Sequence, residues 1–419
     1  MADPQARTFV YADMMYDGVS RHGQPHALIG VAEGRIVTVH GDVPQNDVPS
    51  NALRVPIVMP GFLDLQINGA GDVQFNFDLT ISGLETMVAA SALGGATHIF
   101  PTFTTAPNSD YRRAIEVVAE AVAIGVPGIA GLHLEGPFIS RHRPGIHQKD
   151  FIRPLRQSDV DLLCEAAAKI PLLVTLAPEE QPPHMLQQLQ QAGVTLFAGH
   201  TEATFEDMTR AAQSGVTGGT HLFNAMSQMT PREPGAVGAV LGGGAFYAGI
   251  VADGHHVHPH NLNLAVRALP DHLCLVTDAM QTMNGRSQEM TLYGRRIRLK
   301  HGRLTGDDGT LGGAHLTMAN AVQTLVQHTV ASLGDAAKFA SANPAQAVGL
   351  QHIYGQLKPG LSASMSLLST ELDCLGILRD GRCHLFGQSV PKGFARGQSA
   401  DLSPLAGCSK ASHHATESG

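Results

Sequence analysis

Eight short apolar runs, each ending in polar or charged residues, recur between residues 56 and 278 and alternate with helical patterns. Such runs are typical of parallel strands whose faces are covered by helices. Eight strand-helix units close naturally into a barrel, so we predict an α/β fold built on a (β/α)8 TIM barrel. The predicted strands are residues 56–68, 97–103, 127–135, 171–177, 194–200, 217–224, 246–253 and 272–278.

The two chain ends show a different pattern, in which short alternating runs are separated by glycine-bearing turns. Because these runs flank the barrel on both sides, we predict that the two ends build one small β-sandwich domain. A chain of 419 residues has room for it, since a TIM barrel takes about 250 to 300 residues. The predicted division is 1–58 and 352–390 for the sandwich, 59–351 for the barrel, and an unpacked, disordered tail over 391–419.

The chain after the eighth predicted strand has its own organisation. Residues 282–313 resemble a hairpin insertion with a Gly-rich loop, and residues 314–350 resemble helices. The sequence Asn343-Pro344 predicts the start of the last helix, because proline is favoured in a first helical turn.

Composition excludes several classes of partner. The formal net charge is −8 and no long Lys/Arg run is present, which argues against nucleic acid and anionic membranes as partners. The five cysteines are scattered without a CxxC pair, which indicates a reducing compartment. The first residues lack the pattern of a secretory signal, and glycines cut the apolar stretches short of a membrane span. We therefore predict a cytoplasmic protein that acts on a small molecule.

Four predicted strands end in residues that bind metals or move protons: Glu135, His200, His221 and Asp278. In a TIM barrel the strand C-termini meet at one mouth, so these side chains are predicted to converge. Two imidazoles and a carboxylate match the ligand set of catalytic zinc or iron. Asp278, on the last strand, is placed to take a proton from an activated water and to pass it to a leaving amine.

Each of these residues has a plainer interpretation when it is taken alone. A strand-end carboxylate is more often a helix cap, and one histidine among 22 is more often structural than a metal ligand. Arg232 and the pair His255-His256 resemble solvated loop residues. The combination on strands 3, 5, 6 and 8 of one array is what favours a metal site.

Several segments together resemble the N-acetylglucosamine-6-phosphate deacetylase family of the amidohydrolase superfamily. The resemblance covers residues 8 to about 385 in the correct order, and HLEGPF and THLFNAM are its most specific motifs. The segments are MPGFLDLQINGAG (59–71), GLHLEGPFIS (131–140), GIHQ (145–148), AGHTEA (198–203), THLFNAMSQMTPREPGAVG (220–238), ADGHHV (252–257) and LVTDAM (275–280).

The resemblance implies a role for each matching residue. It implies that Glu135, His200 and His221 hold the metal, that Asp278 is the general base and later the acid, and that His147 polarises the acetyl carbonyl. It further implies a homodimer, in which the loop of Arg232 reaches a neighbouring active site. The residues implied to contact or enclose the sugar phosphate are Ile146, His147, Asn224, Ala225, Arg232, Asp253, Gly254, His255, His256, Leu311, Gly312 and Gly313.

The sequence departs from the wider superfamily at the end of the first strand. Many amidohydrolases carry His-x-His there for a second metal, whereas this chain has Gln66-Ile67-Asn68. Amide side chains are poor ligands for zinc, and no strand-end lysine is available to bridge two metals. We therefore predict one divalent ion per subunit, zinc with iron as the alternative, and a contact from Gln66 through water at most.

Two further departures concern the sugar contacts and the sandwich. The loop 311–315 reads LGGAH where the family usually has a serine, and 358–368 lacks the aspartates usual after its glycine. The leading hypothesis is deacetylation of N-acetylglucosamine 6-phosphate in amino-sugar metabolism. The alternatives are the N-acetylgalactosamine epimer or a non-catalytic sugar-phosphate-binding homologue, and hydrolysis of a cyclic amide is weaker.

Overall fold

The computed structural model describes residues 8–107, 110–243 and 246–386, and its centre is a barrel of eight parallel strands. The strands follow one another around the barrel in chain order, as predicted. They are Phe62–Ile67, Ala96–Thr104, Leu132–Glu135, Leu172–Leu176, Thr195–Ala198, Val216–Gly219, Tyr247–Val251 and Leu273–Val276, numbered one to eight below. Each lies within or overlaps one predicted run, and the predicted barrel is confirmed.

The first predicted run, 56–68, contains two strands and not one. Leu53–Pro60 belongs to a separate sheet, and Phe62–Ile67 begins the barrel after a break at Gly61. A Cβ atom at Gly61 would lie only 2.2 Å from the Oγ1 atom of Thr97, so glycine permits this close passage. Because both halves are apolar, their hydrophobicity alone does not mark the break.

The barrel closes between strands one and eight through contacts at their ends. The backbone N–H of Asp278 donates to the carbonyl of Gln66 at 2.8 Å, and that of Asn68 donates to the carbonyl of Ala279 at 2.8 Å. Lower in the same seam, the buried Asp64 carboxylate accepts from the backbone N–H and the hydroxyl of Thr277, at 3.1 and 2.5 Å. This seam therefore fixes Asp278 relative to the end of the first strand.

Helices surround the strands and are numbered α1 to α10 in chain order. Several helices are capped at their N-terminus by a side chain. Thr204 is an example, because its hydroxyl accepts from the N–H of Asp207 in a reciprocal capping box. The last helix begins at Asn343 as predicted, although it continues from a π-helical turn, Lys338–Ala342. The helices are Ile81–Ala92, Tyr111–Ala123, Gln157–Ala167, Pro183–Gln191, Phe205–Gln213, Gly235–Gly243, Pro259–Ala268, Met318–His328, Leu333–Ala337 and Asn343–Ala347, and the 3-10 turns are Gln45–Asp47, Lys149–Phe151 and Pro178–Glu180.

Strands from both chain ends hydrogen-bond into one seven-stranded mixed sheet, which confirms that the two ends form a common structure. Val10, Ile29, Met365 and Leu367 are buried in its apolar core. In order across the sheet the strands are Arg382–Leu385, Cys374–Arg379, Met365–Leu368, Leu53–Pro60, Thr8–Met15, Gln24–Ala32 and Arg35–His40. The division of the chain at residues 58 and 352 remains our proposal, and the predicted tail lies outside the described residues.

The predicted insertion forms a three-stranded antiparallel sheet, Glu289–Leu292, Arg295–Lys300 and Arg303–Gly306, which we call the insertion sheet. One face buries Met290, Leu292, Ile297 and Leu304 against Met280, next to Ile146. A short hairpin, Gly69–Ala70 and Val73–Gln74, follows the first barrel strand. None of the helices in the described part of the chain is long and apolar enough to cross a membrane.

Candidate active site

The four strand-end residues meet at the C-terminal mouth of the barrel, as predicted. Glu135 is the last residue of strand three, and His200, His221 and Asp278 each lie two residues beyond their strands. These three have left-handed backbone conformations, with φ of 49°, 33° and 49°. Such conformations are sparsely populated for residues with a side chain and are concentrated at functional sites.

Glu135, His200 and His221 form a compact group of ligand atoms. Glu135 Oε1 lies 3.1 Å from His200 Nε2 and 2.9 Å from His221 Nε2, and the two nitrogens are 3.1 Å apart. Ligand atoms bound at 2.0 to 2.1 Å around a tetrahedral ion are about 3.3 Å apart. The separations between the three atoms are therefore slightly shorter than in a zinc site, and the atoms are of the types that bind zinc.

The protonation of this group also favours a cation at its centre. His200 Nδ1 lies 2.8 Å from the backbone carbonyl of Arg143 and must donate to it, so a neutral ring directs a lone pair from Nε2. Burial alone raises the pKa of Glu135, but the close contacts with His200 and His221 outweigh it and hold the pKa well below its ordinary value. Three potential ligand atoms this close need a proton or a metal ion between them.

Asp278 lies beside this group and is held by two amides. Asn68 Nδ2 donates to Asp278 Oδ1 at 2.7 Å, and Gln66 Nε2 donates to the same oxygen at 3.2 Å. Gln66 Nε2 also lies 3.4 Å from Glu135 Oε1, so this amide joins a ligand to the neighbouring carboxylate. Burial and the charge of Glu135 raise the pKa of Asp278 to about 6, which suits a group that exchanges protons near neutral pH.

His147 reaches the same centre from the loop that follows strand three. Its Nδ1 atom hydrogen-bonds to the hydroxyl of Thr105 at 2.7 Å, and its Nε2 atom lies 3.9 Å from Glu135 Oε2. Burial and the nearby His200 lower the pKa of His147 to about 3. The ring is therefore neutral and can donate one hydrogen bond into the site.

A polar layer inside the barrel lies one step below Glu135, His200 and His221. His133, two residues before Glu135, hydrogen-bonds to the hydroxyls of Thr102 and Thr175 at 3.1 and 2.8 Å. Thr175 continues to Thr220, the neighbour of His221, at 2.6 Å. Since all four side chains are buried, this chain of hydrogen bonds ties the strands that carry Glu135 and His221 to strands two and four.

A cavity of about 370 Å³ opens above these residues, which is within the range of small-ligand pockets. Besides the central residues, it is lined by Ile146, Asn224, Ala225, His256, Leu311 and Gly313 from the predicted set. Gly312, also predicted, is not a lining residue, and a Cβ atom there would be 2.9 Å from the side chain of Ile297.

Four predicted substrate residues are placed differently. Asp253 holds His256 through its Oδ2 atom, 2.6 Å from Nδ1, and accepts from the backbone N–H groups of His255 and His256 at 2.8 Å. Gly254 occupies the turn between them with a φ of 75°. Arg232 and His255 are exposed and do not line this cavity.

Several residues of the site escape prediction from the sequence. Asn68 is the last residue of the triplet Gln66-Ile67-Asn68, which replaces the His-x-His of many amidohydrolases. Nothing in the local sequence marks it as a partner of Asp278. Thr105 has no signal of its own, because its contact with His147 joins two loops. The other lining residues that were not predicted are Thr104, His142, Arg143, Pro144, Gly145, Met280, Leu292 and Thr310.

A (β/α)8 barrel that gathers a glutamate, two histidines and a buried aspartate at its strand ends defines a metal-dependent hydrolase. The model of the amidohydrolase family matches residues 57–398. The chain therefore belongs to the amidohydrolase family, in the group of its amino-sugar 6-phosphate deacetylases, as the following relatives show.

N-acetylglucosamine-6-phosphate deacetylase of Haemophilus influenzae is 30% identical over 83% of this chain and 93% of its own length. N-acetylgalactosamine-6-phosphate deacetylase of a Shewanella species is 32% identical over 84% of this chain and 90% of its own. The crystal structure of N-acetylglucosamine-6-phosphate deacetylase from Pasteurella multocida superposes with a TM-score of 0.85 and 30% identity, covering 90% of this chain and all of that one. The resemblance predicted from the motifs is thus confirmed.

Proposed function

We propose that this enzyme removes the acetyl group of N-acetylglucosamine 6-phosphate, releasing glucosamine 6-phosphate and acetate. The observation that carries the proposal is the position of Asp278 beside the Glu135, His200 and His221 group at the floor of an open cavity. Relatives with this activity match almost the whole chain, which supports the choice of substrate.

Glu135, His200 and His221 would hold one divalent ion. Zinc is the proposed ion and iron the alternative, because a carboxylate and two imidazoles accept both. When bound, the ion supplies a water of lowered pKa and polarises the amide carbonyl. Gln66 occupies the place where many family members have a first-strand histidine, and its amide contacts Glu135 and Asp278 without completing a second site.

Asp278 would act first as base and then as acid. Its carboxylate takes a proton from the attacking water and later delivers it to the amine nitrogen, which is expelled poorly unless it is protonated. The two amide donors of Gln66 and Asn68 orient the carboxylate and stabilise its ionised form.

His147 would polarise the acetyl carbonyl. If the hydroxyl of Thr105 donates to Nδ1, the ring carries its proton on Nε2, on the side facing Glu135. A neutral imidazole N–H directed at the carbonyl oxygen stabilises the negative charge that develops there.

The sugar phosphate would occupy the wider part of the cavity. Asn224, Ala225 and His256 line it, and Asp253 and Gly254 shape the turn that presents His256. Ile146, Leu311 and Gly313 line the same cavity. These groups supply the polar and apolar contacts that a phosphorylated pyranose needs.

Arg232 would contact the phosphate of a neighbouring subunit in a homodimer. Its side chain is exposed on a loop outside its own cavity, and the nearby Met229 is 55% exposed. An arginine suits a phosphate dianion because its planar fork donates two hydrogen bonds at once. His255, also exposed, would lie at the same edge.

The decisive experiment measures acetate release from both epimeric N-acetylhexosamine 6-phosphates by protein of known metal content. We expect activity in proportion to bound metal, with the larger kcat/KM for the glucosamine epimer. A larger value for the galactosamine epimer would favour the second candidate, which has support from a relative of similar identity. Metal-loaded protein that binds either compound without releasing acetate would be a non-catalytic homologue.

We also propose a cytoplasmic location, in keeping with four free cysteines among the described residues.

A further inference from the structure

Arg295, in the insertion sheet, holds the loop that carries His147. Its Nη1 atom donates to the backbone carbonyls of Gly145 and Ile146 at 3.2 and 3.1 Å. Its Nη2 atom donates to Asp308 Oδ2 at 3.2 Å, which fixes the guanidinium from the other side. One side chain therefore links the end of the insertion sheet to two successive peptide groups beside the cavity.

The loop held in this way contacts the metal ligands as well as the cavity. The carbonyl of Arg143 accepts from His200 Nδ1 at 2.8 Å and thereby sets the tautomer of this ligand. Gly145 turns the chain with a φ of 54°, and a Cβ atom there would lie 3.1 Å from His200 Cε1. The rings of His147 and His200 have centroids 4.6 Å apart. A shift of the loop would therefore move His147 and would loosen His200 at the same time.

Apolar contacts alone would not fix the position of this loop. Ile146 packs on the apolar face of the insertion sheet, next to Ile297 and Leu292. Such contacts are not directional, whereas the fork of Arg295 specifies the position of two carbonyl oxygens. The side chain of Gln148 adds one further hydrogen bond to the backbone of the insertion sheet, at Tyr293 O.

We propose that Arg295 is a positioning residue for catalysis, which rests on the function proposed above. It does not touch the reacting atoms. It holds the carbonyls of Gly145 and Ile146, and through them it places His147 against the substrate carbonyl and keeps the Arg143 carbonyl on His200. The insertion sheet is thereby a working part of the active site.

The neighbouring residue Arg296 provides a matched control. It lies on the same strand, and its guanidinium pairs with Glu289 within the insertion sheet, at side-chain exposures of 50 and 52%. Arg296→Gln removes the same charge from the same strand without touching the loop. Arg295→Lys is the second test variant, because lysine keeps the charge but cannot reproduce the fork.

The experiment compares Arg295→Gln, Arg295→Lys and Arg296→Gln as metal-loaded proteins. For Arg295→Gln we expect kcat to fall about tenfold or more with a smaller change in KM, since small misplacements of catalytic groups are costly. Amide exchange in residues 141–150 and the rate of metal loss to a chelator should both rise. Arg295→Lys should fall between the wild type and Arg295→Gln, and Arg296→Gln should match the wild type.

Two results would overturn the proposal. One is an Arg295→Gln variant whose kcat, exchange in 141–150 and metal loss equal those of Arg296→Gln. The other is an Arg295→Lys variant equal to the wild type, which would reduce the role to charge alone. Exchange and metal loss are measured without substrate, so they test Arg295 even if the wild type releases no acetate, a result that would instead contradict the proposed function.

Discussion

The amide of Asn68 donates to Asp278 Oδ1 over 2.7 Å, and this contact joins the end of the first barrel strand to the carboxylate beyond the last. A hydrogen bond to the ionised form lowers a carboxyl pKa, so Asn68 opposes the burial and the Glu135 charge that raise the pKa of Asp278 to about 6. Asn68 thus contributes to the pKa of the proposed base without belonging to the Glu135, His200 and His221 group.

Asn68→Ala is expected to shift the pH profile. Activity requires ionised Asp278, so kcat/KM falls as the pH drops through its pKa, and a bound cation places that limb at or below about pH 6. Without the Asn68 donor the pKa rises, and the acid limb moves to higher pH. The measurement is kcat/KM between pH 4 and 9, with the exposed Asn320→Ala as control. An unmoved limb in Asn68→Ala would show that the contact does not tune the base.

Asp278→Asn is expected to retain the metal and to lower kcat by orders of magnitude. The amide has the same shape as the carboxylate but cannot carry a proton between water and amine. Metal analysis and single-turnover acetate release check the two halves of this expectation. Near-normal turnover would remove Asp278 from its proposed role.

His200→Ala and His221→Ala should each lose the metal. Three protein ligands are few, and loss of one leaves Glu135 with a single imidazole beside it. Elemental analysis after dialysis measures the effect, and His184→Ala, on the exposed surface of α4, is the control. Stoichiometric metal in either ligand variant would contradict the assignment.

Gln66→Ala should leave one ion per chain. The Gln66 amide donates to Glu135 and Asp278, and an amide is a poor zinc ligand. We expect slower turnover because both carboxylates lose a donor, with unchanged metal content. Loss of the ion in this variant would make Gln66 a ligand, and two ions in the wild type would overturn the single-metal proposal.

Asp159→Asn should lower the free energy of unfolding by about 1 to 3 kcal/mol. Asp159 accepts from Arg153 at 2.6 and 2.9 Å and from Tyr111 at 2.5 Å, which joins α2 to α3. Burial alone raises the pKa of Asp159, but these donors outweigh it and lower the pKa below 3.8. Its stabilisation is therefore fully present above that value and is lost as the pH falls through the folded pKa.

Urea unfolding at pH 7 and at pH 3 measures this effect. Glu116→Gln is the control, because Glu116 and Arg113 form an ion pair that is 55% exposed on both sides. If both variants lose the same amount of stability at pH 7, the buried hydrogen bonds of Asp159 contribute no more than an exposed ion pair.

The sequence predicts the barrel and the metal group for one physical reason. Parallel strands are buried on both faces and read as apolar runs, and their C-terminal ends all meet at one mouth. Glu135, His200, His221 and Asp278 therefore converge once the strands are counted. The break at Gly61 escapes this logic, because both sides of it are apolar.

The sequence does not reveal the contacts that loop residues make with segments far away in the chain. Thr105 reaches His147 and Arg295 reaches Gly145 only after the chain has folded, and nothing in their spacing signals either pair. Arg232 illustrates the opposite case, since its motif points to the phosphate while its side chain lies outside its own cavity.

The left-handed backbone conformations of His200, His221 and Asp278, at the C-terminal mouth of the barrel, lower the thermal stability of the chain. Each such residue costs about 1 kcal/mol relative to glycine, which adopts the same angles without a clash. The backbone at this mouth is therefore strained, and the strained angles direct three side chains to one point.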